Sequence, residues 1–294
     1  MLSLSVGFGG RASVVSLTTM RRPYTFIIDI DKKGPRMLTE VHVPDDVAAA
    51  VRLLESGATP LGGGTSLMPL LNDYASPPTE LVSLRRAGLA GIHLDGATVR
   101  IGAATTLGQV EHDPRLAILD PVVRSIASVP VRNLATVGGN LFAHQPHGDL
   151  AVALVALAAR VTVVDGGTHE LTVEEFVTDP RGLVTEVAFT QPADGSFKYL
   201  KAARRRFNSA SIVTVAAVIG ESAVRVALGG VGNQIIRAHA VEAALAGQPL
   251  TDETVPAAAE AGLSELAPVD DAYASAWYRT RVFPVHLRRA LLGH

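Results

Sequence analysis

The sequence predicts an α+β protein in two parts, and three observations carry that prediction. Over residues 37–188, short strands, hairpins and helices alternate. Over residues 189–294, extended segments come first and helices follow, the order expected of a sheet with helices layered on it. Finally, two glycine clusters, "LGGGTSLMPLL" at 61–71 and "TVGGNLFAHQPHGDL" at 136–150, each lead from a short extended or turn-like stretch into an apolar run.

"VPDDVAAAVRLLESG" reads as the first helix. Asp45 or Asp46 caps it, Val47, Ala50, Val51 and Leu54 share one face, and Gly57 marks the exit. "ATPL" is a short strand that runs directly into Gly62, Gly63 and Gly64. "GIHLDGATVRIG" is a hairpin turning at Asp95-Gly96, and Thr105 or Thr106 starts the next helix. "DPVVRSIASV" is predicted helical, ending near Pro130 and Arg132. Asp149 is read as the cap of a buried helix, "LAVALVALAA", and "RVTVVDGGTHELTV" as a second hairpin. The turns "DPRG" and "QPADG" separate this part from the strands "SFKYLK", "SIVTVAAVI" and "AVRVALGGV". The helices "RAHAVEAALAG", "TDETVPAAAEAGL" and "TRVFPVHLRRALL" close the chain. Regular patterning begins near Met37. Residues 1–36 therefore read either as an N-terminal extension or as the product of an upstream start, with Met20 and Met37 as alternative starts.

Bulk properties exclude several function classes. The 294 residues are 48% hydrophobic, enough for a substantial core, and the formal net charge is −2. With 5% aromatics and no basic–aromatic interleaving, nothing favours nucleic acid as a partner. The chain has no cysteine, which removes disulfides, thiol nucleophiles and thiolate-held metal clusters and suits a cytoplasmic protein. The apolar run at 150–159 stops at Arg160, short of the roughly 18 residues that span a bilayer. Arg11 breaks the N-terminal apolar stretch, so no secretory signal is read there.

A tight glycine loop offers backbone amides to a negatively charged diphosphate and lets it approach closely. Residues 62–66 add two hydroxyls to such a row; residues 136–140 add a hydroxyl and a carboxamide. Neither loop fits G-x-x-x-x-G-K-[ST] or a G-x-G-x-x-G that opens a long helix. Either cluster alone reads equally as a turn. The pair, with matching flanks, favours one shared ligand.

These same residues carry a family resemblance. "PLGGGTSLMPLL" and "VRNLATVGGNLFAHQPHGDL" resemble the two FAD-binding loops of the molybdopterin dehydrogenase flavoproteins. These are the medium subunits of carbon monoxide dehydrogenase and the flavin domain of xanthine dehydrogenase. "KYLKAARRRFNSASIVTVAAVI", "LGGVGNQIIRAHAVEAALAG" and "YRTRVFPVHLRRALL" resemble the family's C-terminal part, so the likeness spans residues 37–292. It implies a two-subdomain FAD-binding fold of the vanillyl-alcohol-oxidase-like type over 37–188, followed by an α+β C-terminal domain over 189–294. It also implies that both loops grip the diphosphate of FAD. Leu61, Gly62, Gly63, Gly64, Thr65, Ser66 and Leu67 would line one side, and Thr136, Gly138, Gly139 and Asn140 the other. Asp149 would contact the cofactor near its ribose and Lys201 near the flavin ring. The plainer readings are an N-cap for Asp149 and a solvated strand residue for Lys201.

The resemblance further implies an electron-transfer subunit of a molybdenum hydroxylase. A molybdopterin-binding large subunit and a 2Fe–2S small subunit would be its partners, and no side chain is nominated as a catalytic acid or base. A standalone FAD oxidoreductase and a scaffold that has lost FAD are the alternatives. Two departures stand out. The family usually has alanine where Gly62 stands, and an acidic residue after the basic stretch where this chain has "RRRFNSA", with Asn208 or Ser209 in that place. His144 and His147 form H-x-x-H, but Pro146 argues for an irregular loop and no third metal ligand is evident. The basic cluster "RRRFN" is either a solvated loop or a docking patch, and no G-x-S-x-G elbow occurs.

Overall fold

A computed structural model describes residues 38–72, 78–205 and 208–294. Within residues 1–37 it describes only the backbone of three antiparallel strands, β1 (Ser3–Gly9), β2 (Ala12–Thr19) and β3 (Arg22–Ile28). Regular structure thus starts ahead of Met37. The alternation of Leu4, Val6 and Phe8 with serine and glycine is the period-2 signal that the sequence reading passed over.

The next layer is a small parallel sheet of order β4-β6-β5, built from β4 (Glu40–His42), β5 (Thr59–Leu61) and β6 (Glu80–Ser83). Helix α1 (Val47–Glu55) connects β4 to β5. Asp46 caps it by accepting a hydrogen bond from the Ala49 amide at 2.7 Å. Strand β5 ends at Leu61, and the chain passes through three glycines into the short helix α2 (Leu67–Asn72).

A five-stranded antiparallel sheet follows, of order β10-β9-β11-β8-β7. Its hairpins are those expected: β7 (Ile92–Asp95) with β8 (Thr98–Gly102), and β9 (Arg160–Val164) with β10 (Thr168–Thr172). Strand β11 (Leu183–Thr190) pairs with both β8 and β9 and so joins the hairpins. Between β8 and β9 lie α3 (Leu107–His112), α4 (Asp120–Ser125), α5 (Val129–Arg132), α6 (Val137–Leu141) and α7 (Asp149–Ala156). Thr106 starts α3 through a reciprocal capping box with Gln109. A similar box of Thr172 and Glu175 starts α8 (Val173–Thr178), which links β10 to β11.

The C-terminal sheet is antiparallel, of order β12-β13-β14-β15, from β12 (Phe197–Ala203), β13 (Ser211–Ile219), β14 (Val224–Gly229) and β15 (Ile236–Arg237). Its first seven β13 residues are all buried, because both faces are covered. Helix α7 lies on one face. On the other lies a layer of α9 (His239–Leu245), α10 (Thr254–Gly262) and α11 (Ala276–Leu292). All eight residues of α7 are buried, as a helix apolar all round requires. Its Leu150, Leu154 and Val155 pack in one cluster with the five-stranded sheet and with Ala216 and Ala227 of the C-terminal sheet. Helix α7 is therefore the common core element between the two sheets.

Two sequence readings need correction here. "DPVVRSIASV" is not one helix. It stops at Ser125, turns through an extended Ile126 and a left-handed Ala127 (φ 46°), and restarts at Val129. Asp149 does not cap α7: Gly148 holds that place with φ 85°, and the carboxylate of Asp149 turns away from the helix amides. Helix α11 also begins ahead of the quoted segment, capped by Ser275, and runs through Pro284.

Because Leu154 is fully buried between the two sheets, Leu154→Ala leaves a cavity that neither sheet can close. The expected cost is about 2–5 kcal/mol, read as a lower urea midpoint with an unchanged slope. A loss below 1 kcal/mol would show that α7 is a peripheral element.

Candidate functional site: a cleft closed by two glycine loops

Strand β5 and the start of α6 bring the two glycine clusters side by side. The first loop lies directly on the chain leading into the second: a Cβ at Gly63 would collide with the Leu134 carbonyl, and one at Gly62 would stand 2.9 Å from the Thr136 hydroxyl. Gly138 is equally constrained, since its Cβ would lie 2.8 Å from that of Ala103, in the turn just past β8. Glycine at 63 and 138 is thus required by packing. At Gly139 the nearest obstacle is only the Thr136 side chain, and Gly64, with φ 75°, provides the left-handed turn into α2.

The two loops differ in what their backbones leave open. In the second, the amides of Val137 and Gly138 donate to the carbonyls of Thr105 and Ala103, that of Gly139 to the Thr136 hydroxyl, and that of Asn140 to the Thr136 carbonyl. In the first, the amides of Gly63, Gly64, Thr65 and Ser66 have no acceptor among the described residues. The first loop is the open donor row, and the second is a rigid backing that adds the carboxamide of Asn140. The oxygen of that carboxamide already accepts from the Ala151 amide at 3.3 Å, so its NH2 is the group left to donate.

A cavity of about 330 Å³ lies between the loops. Leu61, Gly62, Gly63, Gly64, Thr65, Ser66, Leu67, Thr136, Gly138, Gly139 and Asn140 all line it. It shares Thr65, Ser66, Ala135, Asn140 and Ala143 with a larger cavity of about 890 Å³. That one runs along Ile126 and Ala127, past Asp149 and Lys201, to Arg204, Arg205 and Tyr273. The structure thus gathers every site residue read from the sequence into one elongated cleft.

Beside the cleft lies a buried charge network. Lys201 donates to Asp149 Oδ2 at 2.8 Å and to the Ser125 carbonyl at 3.0 Å. The other carboxylate oxygen accepts from Ser211 at 2.7 Å and from Thr214 at 2.8 Å. The Asp149 and Lys201 side chains are 7% and 8% exposed, so Lys201 is not a solvated strand residue. Tyr199 on the same strand hydrogen-bonds the Ser125 hydroxyl at 2.8 Å. Burial, and then the charge of Asp149, push its phenol well above the usual tyrosine range.

Sequence reasoning missed several residues of this site. Ser211 and Thr214 fall inside an apolar strand pattern, where two hydroxyls were the only sign of a buried polar partner. Tyr273 comes from the loop ahead of α11 and meets the His147 ring edge to face at 6.0 Å. His144 is exposed, and His147 lines the larger cavity from an irregular loop. Arg204 and Arg205 line that cavity too, whereas Arg206 and Phe207 of the basic cluster lie outside the described residues.

An elongated cleft with a row of open amides at one end and a buried ion pair along its length suits a dinucleotide with a diphosphate. Comparison with known proteins makes this specific. Residues 36–189 match the family described as FAD binding domain in molybdopterin dehydrogenase, and residues 198–293 match the CO dehydrogenase flavoprotein C-terminal domain. The chain is 34% identical over 271 residues to the 6-hydroxypseudooxynicotine dehydrogenase complex subunit alpha of Paenarthrobacter nicotinovorans, covering 85% of this chain and 92% of that one. It is 30% identical over 278 residues to the carbon monoxide dehydrogenase medium chain of Hydrogenophaga pseudoflava, covering 86% and 95%. A solved carbon monoxide dehydrogenase from that organism superposes with a TM-score of 0.81 at 28% identity, over 87% of this chain and 96% of the other. The chain belongs to the FAD-binding family of the molybdopterin dehydrogenases. FAD is its cofactor, and it is an oxidoreductase subunit of the kind that acts within a multi-subunit complex. Among the described residues, no helix is long and apolar enough to cross a membrane.

Removing one partner of a buried ion pair leaves the other uncompensated. Lys201→Met is expected to destabilise the chain by about 3–5 kcal/mol, and the Lys201→Met, Asp149→Asn double variant by less. Urea denaturation of the two variants checks the order; a double variant worse than the single one contradicts it.

A pH effect follows from Glu111. Its hydrogen bond from Arg132, against burial, holds its carboxyl below the usual glutamate value. That contribution to stability is present above the unfolded-state value of about 4.3 and is lost as pH falls through the depressed folded value. Glu111→Gln should flatten the acid side of a melting-temperature profile. A wild-type slope retained in the variant contradicts the assignment.

Proposed function

We propose that this chain is the FAD-carrying electron-transfer subunit of a cytoplasmic molybdenum hydroxylase. In that complex a 2Fe–2S small subunit delivers electrons from a molybdopterin-binding large subunit, and an external acceptor removes them. The observation that carries the reading is the single cleft in which both glycine loops and the Asp149–Lys201 pair meet. These 294 residues contain no cysteine, so thiolate-held clusters lie outside them. The names of its relatives, a dehydrogenase complex subunit and medium chains, support a partnered rather than a solitary role.

When bound, FAD supplies the redox chemistry; this chain's residues supply position and electrostatics. The amides of residues 63–66 take the diphosphate, with the hydroxyls of Thr65 and Ser66 beside them. Thr136 holds the Gly139 amide through its hydroxyl, Gly138 lets the second loop seat closely on Ala103, Gly139 lines the cleft without a side chain, and Asn140 adds a carboxamide donor. Asp149 and Lys201 fix the wall of the larger cavity by neutralising one another, which keeps a net charge out of a half-enclosed space. Residues 37–188 form the FAD-binding domain and residues 189–294 the domain that closes the cleft.

The purified chain should carry about one FAD and release FAD, not FMN, on denaturation. FMN, or no flavin after reconstitution, would sink the reading. Gly139→Val should abolish FAD retention while far-UV circular dichroism stays unchanged, because Gly139 lines the cleft and an added side chain meets only the Thr136 hydroxyl, not the core. Turnover of molybdenum-hydroxylase substrates should require the large and small subunits. Substrate-dependent turnover by the chain alone would favour a standalone oxidoreductase.

A further inference from the structure

The break between α4 and α5 is an unusual piece of backbone. Ile126 is extended (φ −86°, ψ 115°) and Ala127 adopts φ 46°, a region that side chains other than glycine rarely occupy. Such a conformation persists only where its surroundings enforce it. Here three successive carbonyls are each held by a buried cation. Lys201 donates to the Ser125 carbonyl at 3.0 Å, and Arg132 Nη1 donates to those of Ile126 at 3.1 Å and Ala127 at 3.5 Å.

Arg132 is 7% exposed and does not line the cleft. Its remaining nitrogens grip Glu111: Nε to Oε2 at 2.7 Å and Nη2 to Oε1 at 3.2 Å. The guanidinium is therefore fixed on one side by a carboxylate fork and on the other by the turn. Ile126 and Ala127 are cleft wall. From this arrangement we infer that Arg132 is a positioning residue for the cofactor. It holds Ala127 left-handed, and so sets the shape of the wall that FAD meets. The inference rests on the reading that FAD occupies this cleft.

The test exploits the strain itself. Glycine adopts positive φ freely, so Ala127→Gly should make the turn independent of its clamp. In the full-length chain reconstituted with FAD, Arg132→Met should raise the FAD Kd roughly tenfold, the equilibrium equivalent of the left-handed penalty for an L-residue. It should also displace the flavin reduction potential and visible band. Adding Ala127→Gly to Arg132→Met should return all three to near wild type. A purely structural ion pair with Glu111 predicts no such rescue, so an unrescued loss overturns the inference, as does an Arg132→Met chain with wild-type Kd and potential. If Arg132→Met does not fold, Ala127→Val with Arg132 intact decides. A β-branched residue should weaken FAD binding by a similar factor, and an unchanged Kd overturns the inference. A wild-type chain that binds no FAD contradicts the underlying reading instead.

Discussion

The carboxylate of Asp149 is the constraint on which the rest is built. It sits at the start of the fully buried α7, and its two oxygens reach strands of the C-terminal sheet: Lys201 on β12 through one, Ser211 and Thr214 on β13 through the other. A buried carboxylate without partners would be costly. With these three bonds it becomes a directional tie between α7 and a sheet that otherwise meets it through apolar contacts, which set no direction. The same lysine reaches the Ser125 carbonyl, so the tie extends to the cleft wall. Domain packing and site geometry are therefore one network.

The glycine loops divide their roles for a reason of hydrogen-bond accounting. Buried amides must find acceptors. The second loop meets that demand inside the protein, on Ala103, Thr105 and Thr136. The first loop lies at the cleft, where four amides are left to an anionic ligand. Glycine serves the two loops differently: close packing at Gly63 and Gly138, a left-handed turn at Gly64, and close approach to the Thr136 hydroxyl at Gly139. Gly62, where the family usually has alanine, faces the Thr136 hydroxyl at a separation a Cβ would tighten to 2.9 Å, so the departure is accommodated within the loop pair.

Much of this was legible in the sequence where the signal is local. The caps at Asp46 and Thr106, the hairpins at Asp95-Gly96 and around residue 166, and the buried run of α7 all follow from neighbouring residues. The paired loops pointed to the cleft because each carries its chemistry in a few contiguous positions. What was not legible depends on partners distant in the chain. The kink at Ala127 exists because cations from residues 132 and 201 hold it, and no local preference of "SIAS" announces that. Asp149 looks like a helix cap until Ser211, Thr214 and Lys201 are placed around it. The strands ahead of Met37 are a different case, since the alternation was present in the sequence and went unread.

The central claim is that the first loop's open amides hold the diphosphate while the second loop's amides are already satisfied. Residue-resolved amide hydrogen exchange, with and without FAD, tests this most directly. The account predicts that FAD slows exchange strongly at Gly63, Gly64, Thr65 and Ser66 and changes Val137 and Gly138 little, because these two are bonded in either state. Protection centred on residues 137–140 with none at residues 63–66 would contradict it.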